Sequence, residues 1–310
     1  MADQEKILAG ADGSNESLVA VAWAADRAAR TGAQLHIIST YAMASYSAAA
    51  LDGGYAVLDE EALRRGAEEV THEAEQAAKK AHPDLNVTTS AEPGDAASVL
   101  VEMSREVDMV VVGSRGKGGL ADRLLGTVSS ALPAHAKCPV VVVPKHTSGR
   151  DFTPVERIVV GSDGSDVASA ALKRAVDEAG VWDARLTAVS AVPVASGGSL
   201  MAWAPATVDR EALLRDVRES LKRAVDSAVD GRDIDVSCHA LDGSPASLMV
   251  EFSTAVDLVV VGKRGHGGFA GMLLGSTSQT ILGHSTCPVM VVPSRHRDAN
   301  PDPASMWGRR

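Results

Sequence analysis

Glycines and hydroxyl residues with the spacing of an anion site follow a short apolar run, Met109–Val112. Gly113 and Gly116 come directly after the run, and nine residues separate Gly116 from the pair Gly126 and Thr127. Such a run is typical of a strand buried on both faces of a parallel sheet. Hydroxyl residues after the glycines are typical of a helix start, where backbone N–H groups lack partners. The sequence therefore predicts an anion site, with phosphate as the favoured ligand.

The same arrangement occurs again later in the chain. Gly262 follows the apolar run 258–261, and Gly265 and Gly275 repeat the spacing with an offset of 149 residues. One glycine-rich loop is weak evidence, whereas two with the same spacing after buried strands are strong evidence. We therefore expect two phosphate sites, contacted by Gly113, Arg115, Gly116, Gly126, Thr127, Val128, Ser129, Gly262, Arg264, Gly265, Gly275, Ser276, Thr277 and Ser278.

The charged residues of the two loops have two interpretations. Arg115, Lys117, Lys263, Arg264 and His266 either contact phosphate or are solvated loop charges, and the residue types do not decide between these roles. The hydroxyls of Thr127, Ser129, Ser276 and Ser278 are predicted as additional donors to phosphate.

A carboxylate follows the first strand of each half, as Asp12 and Asp163. In a parallel sheet both would lie at the crevice edge where the glycine loops lie. A carboxylate there would bind a ribose hydroxyl or a bridging Mg²⁺, or it would cap the following helix. We favour the ligand role and leave the capping role open.

Strands alternate with helices along both halves, which predicts βαβ units and a parallel sheet. The expected strands of the first half begin near residues 7, 35, 87, 109 and 138, and the pattern restarts at Ile158. The predicted domains are 1–145 and 155–293, with a disordered tail at 294–310 and loops at 42–58 and 193–207.

The composition excludes several classes of protein. A net charge of −10 and a pI near 5.4 argue against a nucleic-acid or anionic-membrane binder, which needs a basic face. Three cysteines without a Cys-x-x-Cys pair, and no apolar segment after the N-terminus, favour the cytoplasm. No stretch approaches the length of a membrane span.

These motifs resemble the universal stress protein family in its tandem two-domain form. The family's Gly-x2-Gly-x9-Gly-(Ser/Thr) motif is present twice, ending at Gly126-Thr127 and Gly275-Ser276. The resemblance implies an α/β fold of two tandem doubly wound, Rossmann-like domains, each with a five-stranded parallel sheet in the order 3-2-1-4-5. It also implies an ATP site at the carboxyl edge of each sheet, a homodimer, and a role in stress survival or growth arrest.

The resemblance further implies that the end of the second strand contacts adenine through its backbone. The residues concerned are Thr40 and Tyr41 in the first half, and Ala191 and Val192 in the second. One residue departs from the repeat, because Pro133 lies in the helix after Gly126 where the second half has Leu282. We therefore expect the helix after Gly126 to be kinked or short.

The leading hypothesis is a cytoplasmic ATP-binding regulator without efficient catalysis, acting on an unknown protein partner. One alternative is an adenylating or ATP-hydrolysing enzyme on a related α/β fold. Another is a flavin-binding electron carrier of similar topology. His135 with Cys138, and His284 with Cys287, could form metal pairs, but a helix-end histidine and a core cysteine explain them better.

The last strand of each half is expected at a sheet edge, over Cys138–Val143 and Cys287–Val292. An open apolar edge favours self-association. Either two chains pair through these edges, or the two edges of one chain pair with each other and a dimer uses other surfaces.

Overall fold

The computed structural model describes residues 4–41, 60–116, 125–145, 151–193, 209–265 and 273–294. Lys117, His266, the predicted tail from residue 295, and nearly all of the predicted loops at 42–58 and 193–207 lie outside these ranges. Within them, no helix is long and apolar enough to cross a membrane.

Each half alternates strands with helices in the same order. The first half contains β1 (Lys6–Gly10), α1 (Asn15–Thr31), β2 (Gln34–Tyr41), α2 (Glu60–Ala81), β3 (Val87–Pro93), α3 (Ala96–Met103), β4 (Met109–Gly113), α4 (Thr127–His135) and β5 (Val140–Val143). The second half contains β6 (Arg157–Gly161), α5 (Asp166–Trp182), β7 (Arg185–Val192), α6 (Arg210–Val229), β8 (Val236–Asp242), α7 (Pro245–Phe252), β9 (Leu258–Gly262), α8 (Ser276–His284) and β10 (Val289–Val292).

Local capping signals fix the ends of the first helix of each half. The Ser14 hydroxyl accepts a hydrogen bond from the Ser17 backbone N–H at the start of α1. Gly32 ends α1 in the left-handed region with φ of 69°, a conformation that glycine adopts without steric cost. Ser165 begins α5 in the same way, by accepting from Ala168 N–H. These caps hold the first turn of each helix next to the carboxyl end of the preceding strand.

The described strands form one sheet of ten strands in the order β3-β2-β1-β4-β5-β10-β9-β6-β7-β8. Within each half the pairing is parallel and the order is 3-2-1-4-5, which confirms the predicted fold class. Strands β5 and β10 join the halves by antiparallel pairing, with Val141 opposite Met290. Of the two edge arrangements expected from the sequence, the intrachain one is present. A dimer through these edges is therefore not available to the folded chain.

Helices cover both faces of the sheet and build one core on each. One core packs α1, α2, α5 and α6 against strand residues such as Ile7 and Ile158. The other packs α3, α4, α7 and α8 against the alternate strand residues, such as Leu8 and Val159. The strands are apolar on both faces because both faces are covered.

The expectation that Pro133 shortens α4 is wrong. Helices α4 and α8 both contain nine residues, although α8 has no proline at the equivalent position. Pro133 lies in the last turns of α4, so its missing N–H removes one helical hydrogen bond near the C-terminal end and leaves the first turn intact.

Candidate functional site

A cavity of about 230 Å³ opens at the carboxyl ends of β1, β2 and β4. Nine of the residues predicted for the first site line it, namely Asp12, Thr40, Gly113, Arg115, Gly116, Gly126, Thr127, Val128 and Ser129. Tyr41 is not among the lining residues, and Lys117 lies outside the described residues. Sequence reasoning missed Ser17, Ile38, Ala96 and Leu100, which also line the cavity. The topology, rather than any motif, brings these four residues to the site.

The cavity has an apolar end and a polar end. Side chains from three elements, Ile38, Leu100 and Val112, form apolar wall and are buried in the second core. Asp12, Arg115 and the start of α4 form the polar part. This division suits a ligand with a flat apolar group joined to an anion.

Gly126 lies directly before α4 and leaves the first turn of that helix without a side-chain cap. Its φ of −75° and ψ of 170° are open to any residue. A Cβ added there would meet its nearest atoms, Arg115 Cα and Ser114 O, at 3.5 Å, which is ordinary contact. Among the residues that the structure describes, neither the backbone nor the packing requires glycine here. The absent side chain leaves space above the free amides of α4, as Gly275 does before α8.

Gly113 is required by the packing of the protein itself. A Cβ there would lie 2.9 Å from the Glu16 carbonyl oxygen in the first turn of α1. Gly262 has the same restriction, since a Cβ would lie 2.8 Å from Val167 Cγ1. These two glycines let the first helix of each half approach the glycine loop.

The predicted role of the Ser129 and Ser278 hydroxyls as phosphate donors is wrong. Ser129 is 1% exposed, and its Oγ donates to the Ser114 carbonyl at 2.7 Å. Ser278 Oγ donates to the Gly262 carbonyl at 2.8 Å. A hydroxyl has one proton to donate, so both hydroxyls hold the glycine loop on the helix instead. Thr127 and Ser276 are exposed, and their predicted role stays a prediction.

Backbone hydrogen bonds fix both glycine loops to the last strand of their half. Ser114 N–H donates to the Val143 carbonyl at 2.7 Å, and Gly126 N–H donates to the Ser114 carbonyl at 2.8 Å. Lys263 N–H donates to the Val292 carbonyl at 2.8 Å, and Gly275 N–H to the Lys263 carbonyl at 2.9 Å. Each loop is therefore anchored at its ends in the same geometry.

Asp12 takes part in the capping of α1, one of the two roles left open by the sequence, and its ligand role stays a prediction. Its Oδ1 accepts hydrogen bonds from Ser14 N–H at 3.0 Å and Ser14 Oγ at 2.5 Å, which supports the cap of α1. Its Oδ2 lies against Gly116 in the cavity. Asp163 repeats the arrangement, with Oδ1 accepting from Ser165 N–H at 3.0 Å and Oδ2 against Gly265.

Arg115 supplies a cationic group in the cavity wall. Among the described residues its buried Nε has no hydrogen-bond partner. A buried guanidinium nitrogen is costly unless it is paired, so an anion in the cavity would satisfy it. The equivalent Arg264 is exposed.

The second half repeats the framework with different side chains around it. Gly262, Gly265, Gly275 and Asp163 have the same local contacts as their counterparts. Ala191 replaces Thr40 at the end of β7, and Thr277 replaces Val128 in the first turn of α8. Met249, which replaces Leu100, lies 3.5 Å from a Cβ built on Gly161.

Some backbone carbonyls at the ends of β2 and β7 already accept hydrogen bonds within the protein. The Tyr41 carbonyl accepts from Gly94 N–H at 2.9 Å, and the Val192 carbonyl accepts from Gly243 N–H at 3.1 Å. Thr40 lines the cavity, so it is the better candidate of the two first-half residues for contact with a base.

The metal hypothesis for the His and Cys pairs gains no support from the described residues. His135 is exposed and Cys138 is buried, and the described residues contain no group of three metal-binding side chains. Burial raises the pKa of the Cys138 thiol to about 12, as expected for a cysteine packed in the core. The core interpretation of these cysteines is the one the structure supports.

The chain is similar to proteins of one known family. The model of the universal stress protein family matches residues 4–144 and 154–293. Universal stress protein Rv2005c of Mycobacterium tuberculosis is 33% identical over 301 residues, covering 93% of this chain and 97% of the relative.

One solved structure gives the same picture of the fold. A universal stress protein from Archaeoglobus fulgidus has a TM-score of 0.66 at 21% identity, covering 93% of this chain and 96% of that one. A universal stress protein solved in complex with cAMP matches 46% of this chain and 98% of its own, at 29% identity and a TM-score of 0.35.

Proposed function

This chain belongs to the universal stress protein family, and we propose that it is a regulatory protein that binds ATP in each half. Binding, rather than turnover, would report the nucleotide state of the cell during stress or growth arrest. The observation that supports this most directly is the cavity of the first half, where the free start of α4, the Arg115 guanidinium and Asp12 meet an apolar wall.

The polar end of the cavity would hold the phosphates. Gly126 leaves the amides of Thr127 and Val128 exposed to an anion, and the helix dipole favours negative charge there. The Nε of Arg115 would gain the partner that the described residues do not give it. The helix N-terminus and the cation together suit a polyphosphate better than either would alone.

The apolar end would hold the base. Ile38, Leu100 and Val112 present carbon atoms to the cavity, and Thr40 lies at its rim with a hydroxyl for a ring nitrogen or ribose oxygen. Asp12 also lines the cavity, and its Oδ2 would accept a hydrogen bond from a ribose hydroxyl or ligate an Mg²⁺ that accompanies the phosphates.

The proposed protein binds ATP without efficient catalysis. Its glycine loops offer N–H groups to phosphate equally in the ground and transition states, which does not raise the chemical rate. We further propose a cytoplasmic protein that acts through a protein partner. A homodimer, if the chain forms one, would use surfaces other than β5 and β10, which pair with each other.

Calorimetric titration with Mg²⁺-ATP tests the proposal. We expect two sites per chain in the parent, one in Gly126→Glu, one in Gly275→Glu and none in the double variant, because a carboxylate would fill the phosphate space. Gly66→Glu is the matched control, since Gly66 is exposed on α2 and a Cβ there meets nothing within 4 Å. A double variant that binds ATP as the parent does would overturn the proposal.

The nucleotide that copurifies identifies the ligand. The purified protein would be denatured and its small molecules separated by chromatography. ATP or ADP supports the proposal, whereas cAMP would replace ATP as the ligand of the same sites. A yellow protein that releases flavin would favour the electron-carrier alternative.

A further inference from the structure

The strands that join the two halves pair about a local twofold axis. Val141 and Met290 are each the second residue of a four-residue strand, and they lie opposite each other. The flanking pairs, Val140 with Val291 and Val142 with Val289, are arranged symmetrically about them. An edge of this kind is self-complementary, so β5 could pair with another β5 as readily as with β10. The strands alone therefore do not determine which halves pair.

The helices packed over these strands differ in charge at the axis. Arg27 and Glu178 occupy the same position in the 17-residue helices α1 and α5, and they contact each other. Arg27 Nε donates to both Glu178 oxygens, at 3.2 and 3.1 Å, and Arg27 Nη2 donates to Oε1 at 3.0 Å. Both residues are buried, at 2% and 0% exposed.

Each of these two buried charges has one further ion-pair partner from its own half. Glu5 Oε1 lies 2.9 Å from Arg27 Nη1, and Arg174 Nη2 lies 2.9 Å from Glu178 Oε1. Trp182 Nε1 also donates to Glu178 at 3.3 Å. The contact between Arg27 and Glu178 joins the two halves at close range, and a longer contact of 3.8 Å between Arg174 Nη2 and Glu5 Oε1 joins them as well.

An aromatic contact beside the ion pair is also specific to unlike halves. The rings of Trp23 and Trp182 have centroids 5.8 Å apart, and the Arg30 guanidinium lies 4.9 Å from the Trp182 ring centre. The positions equivalent to Trp23 and Trp182 are Arg174 and Thr31. A pair of two first halves, or of two second halves, would lose this aromatic contact.

We propose that the surface formed by α1 and β5 accepts only the second half of this chain, and that the Arg27–Glu178 pair enforces this choice. Pairing of two first halves would place two buried Arg27 guanidiniums in contact, each left with Glu5 as its ion-pair partner. Pairing of two second halves would place two buried Glu178 carboxylates in contact, each left with Arg174. Buried charges of like sign are costly. Since each chain has two such edges, like pairing would also link chains end to end into open polymers.

Light scattering after refolding tests this selectivity. The parent and Arg27→Met/Glu178→Leu would be refolded from guanidinium chloride over a roughly 100-fold range of chain concentration. Apolar replacement of a buried ion pair is often neutral for stability, so we expect the double variant to keep a thermal midpoint near that of the parent. We expect its mass to rise to about twofold the parent's or more with concentration, while the parent's mass stays constant.

The matched control is Arg232→Met/Asp177→Leu, which removes an exposed ion pair within the second half. It should refold with the parent's mass. If the Arg27→Met/Glu178→Leu chain keeps the parent's mass at every concentration, the proposal is wrong. If that chain does not fold, the variant Glu178→Gln tests the proposal instead. Two neutral amide side chains at this position can hydrogen-bond to each other, which would allow two second halves to pair. Association of this variant to about twice the parent's mass supports the proposal. A mass equal to the parent's at every chain concentration overturns it.

Discussion

Asp12 Oδ2 lies against Gly116 so closely that a methyl group at Gly116 would overlap it, with the added carbon 3.2 Å from Asp12 Cγ. Asp163 and Gly265 repeat this relationship, again with 3.2 Å to Cγ. Among the described residues, the carboxylate after the first strand leaves no room for a Cβ at the second glycine of each loop, whereas a Cβ at Gly126 or Gly275 would make only ordinary contacts. The glycines of one motif have two separate purposes, which makes their substitutions distinguishable.

Alanine at Gly116 and at Gly126 should have different effects on stability. Gly116→Ala forces Asp12 or the loop to move and should lower the free energy of unfolding by about 1–3 kcal/mol, as overpacking does. Gly126→Ala should leave stability within about 0.5 kcal/mol of the parent, because its Cβ has room. Both should weaken ATP binding at the first site. Denaturant unfolding and calorimetry on the same samples measure the two effects, and equal stability losses would contradict the assignment.

Arg115→Met should weaken the binding of ATP more than that of adenosine. The guanidinium is expected to make charge-assisted hydrogen bonds worth about 1.5–3 kcal/mol, or roughly 10–150-fold in Kd, to phosphate alone. The control is Arg264→Met, which should affect only the second site, and less, because Arg264 is exposed. Competitive titration with ATP and adenosine measures the difference. An equal loss for both ligands would place Arg115 at the base instead.

The sequence was sufficient for the features that depend on local patterns. The family resemblance implied the strand order and the role of Thr40. Repeated glycine spacing and apolar runs predicted the alternating strands and helices and the other predicted residues that line the first site. These features depend on periodicity and on backbone conformation, which a single sequence expresses directly. Ile38 and Leu100 could not be assigned to the site from the sequence. The same apolar residue types fill the core and line the cavity, and only their position in the fold distinguishes them.

Long-range pairing was the part that the sequence could not determine. The sequence does not indicate that Arg27 and Glu178 are partners. Both have the pattern of ordinary charged residues on amphipathic helices, and they are 151 residues apart. The hydroxyls of Ser129 and Ser278 show the same limit on a smaller scale. A serine near a phosphate site reads as a donor to the ligand, and only the geometry shows that its proton is used by a loop carbonyl.

One thiol per chain should react under native conditions, and it should react slowly. The chain has three cysteines, of which Cys138 and Cys287 are buried and Cys238 on β8 is partly exposed. Burial raises the pKa of Cys138 to about 12, and it also raises the pKa of Cys238, which slows the reaction of both. Ellman's reagent should therefore titrate one thiol slowly in the folded protein and three after denaturation. The Cys238→Ser chain should show none when folded; rapid reaction of two or more would contradict the burial.

Protonation of Glu5 should account for part of the stability that the fold loses in acid. Burial alone would raise the pKa of the Glu5 carboxyl, but its contact with Arg27 and the charge of Arg174 outweigh burial and lower it. A group with a lowered pKa in the fold stabilises it fully above its unfolded pKa, about 4.3 for glutamate. That contribution is lost as the pH falls through the lower, folded value. Thermal melts should show a smaller acid loss in Glu5→Gln than in the parent, and an identical loss would remove Glu5 from the effect.

The purified protein should retain ATP rather than hydrolyse it rapidly. Fast phosphoryl transfer needs a positioned base or water-orienting group and a fixed cation at the γ-phosphate. Asp12 has one oxygen engaged by Ser14 and the other against Gly116, so it is poorly placed to act as a base. The Ser129 hydroxyl is engaged as well. Steady-state release of ADP with Mg²⁺ should fall far below the enzyme median of about 10 per second. Sustained turnover near that value, lost in Asp12→Asn/Asp163→Asn, would make the protein an enzyme rather than a sensor.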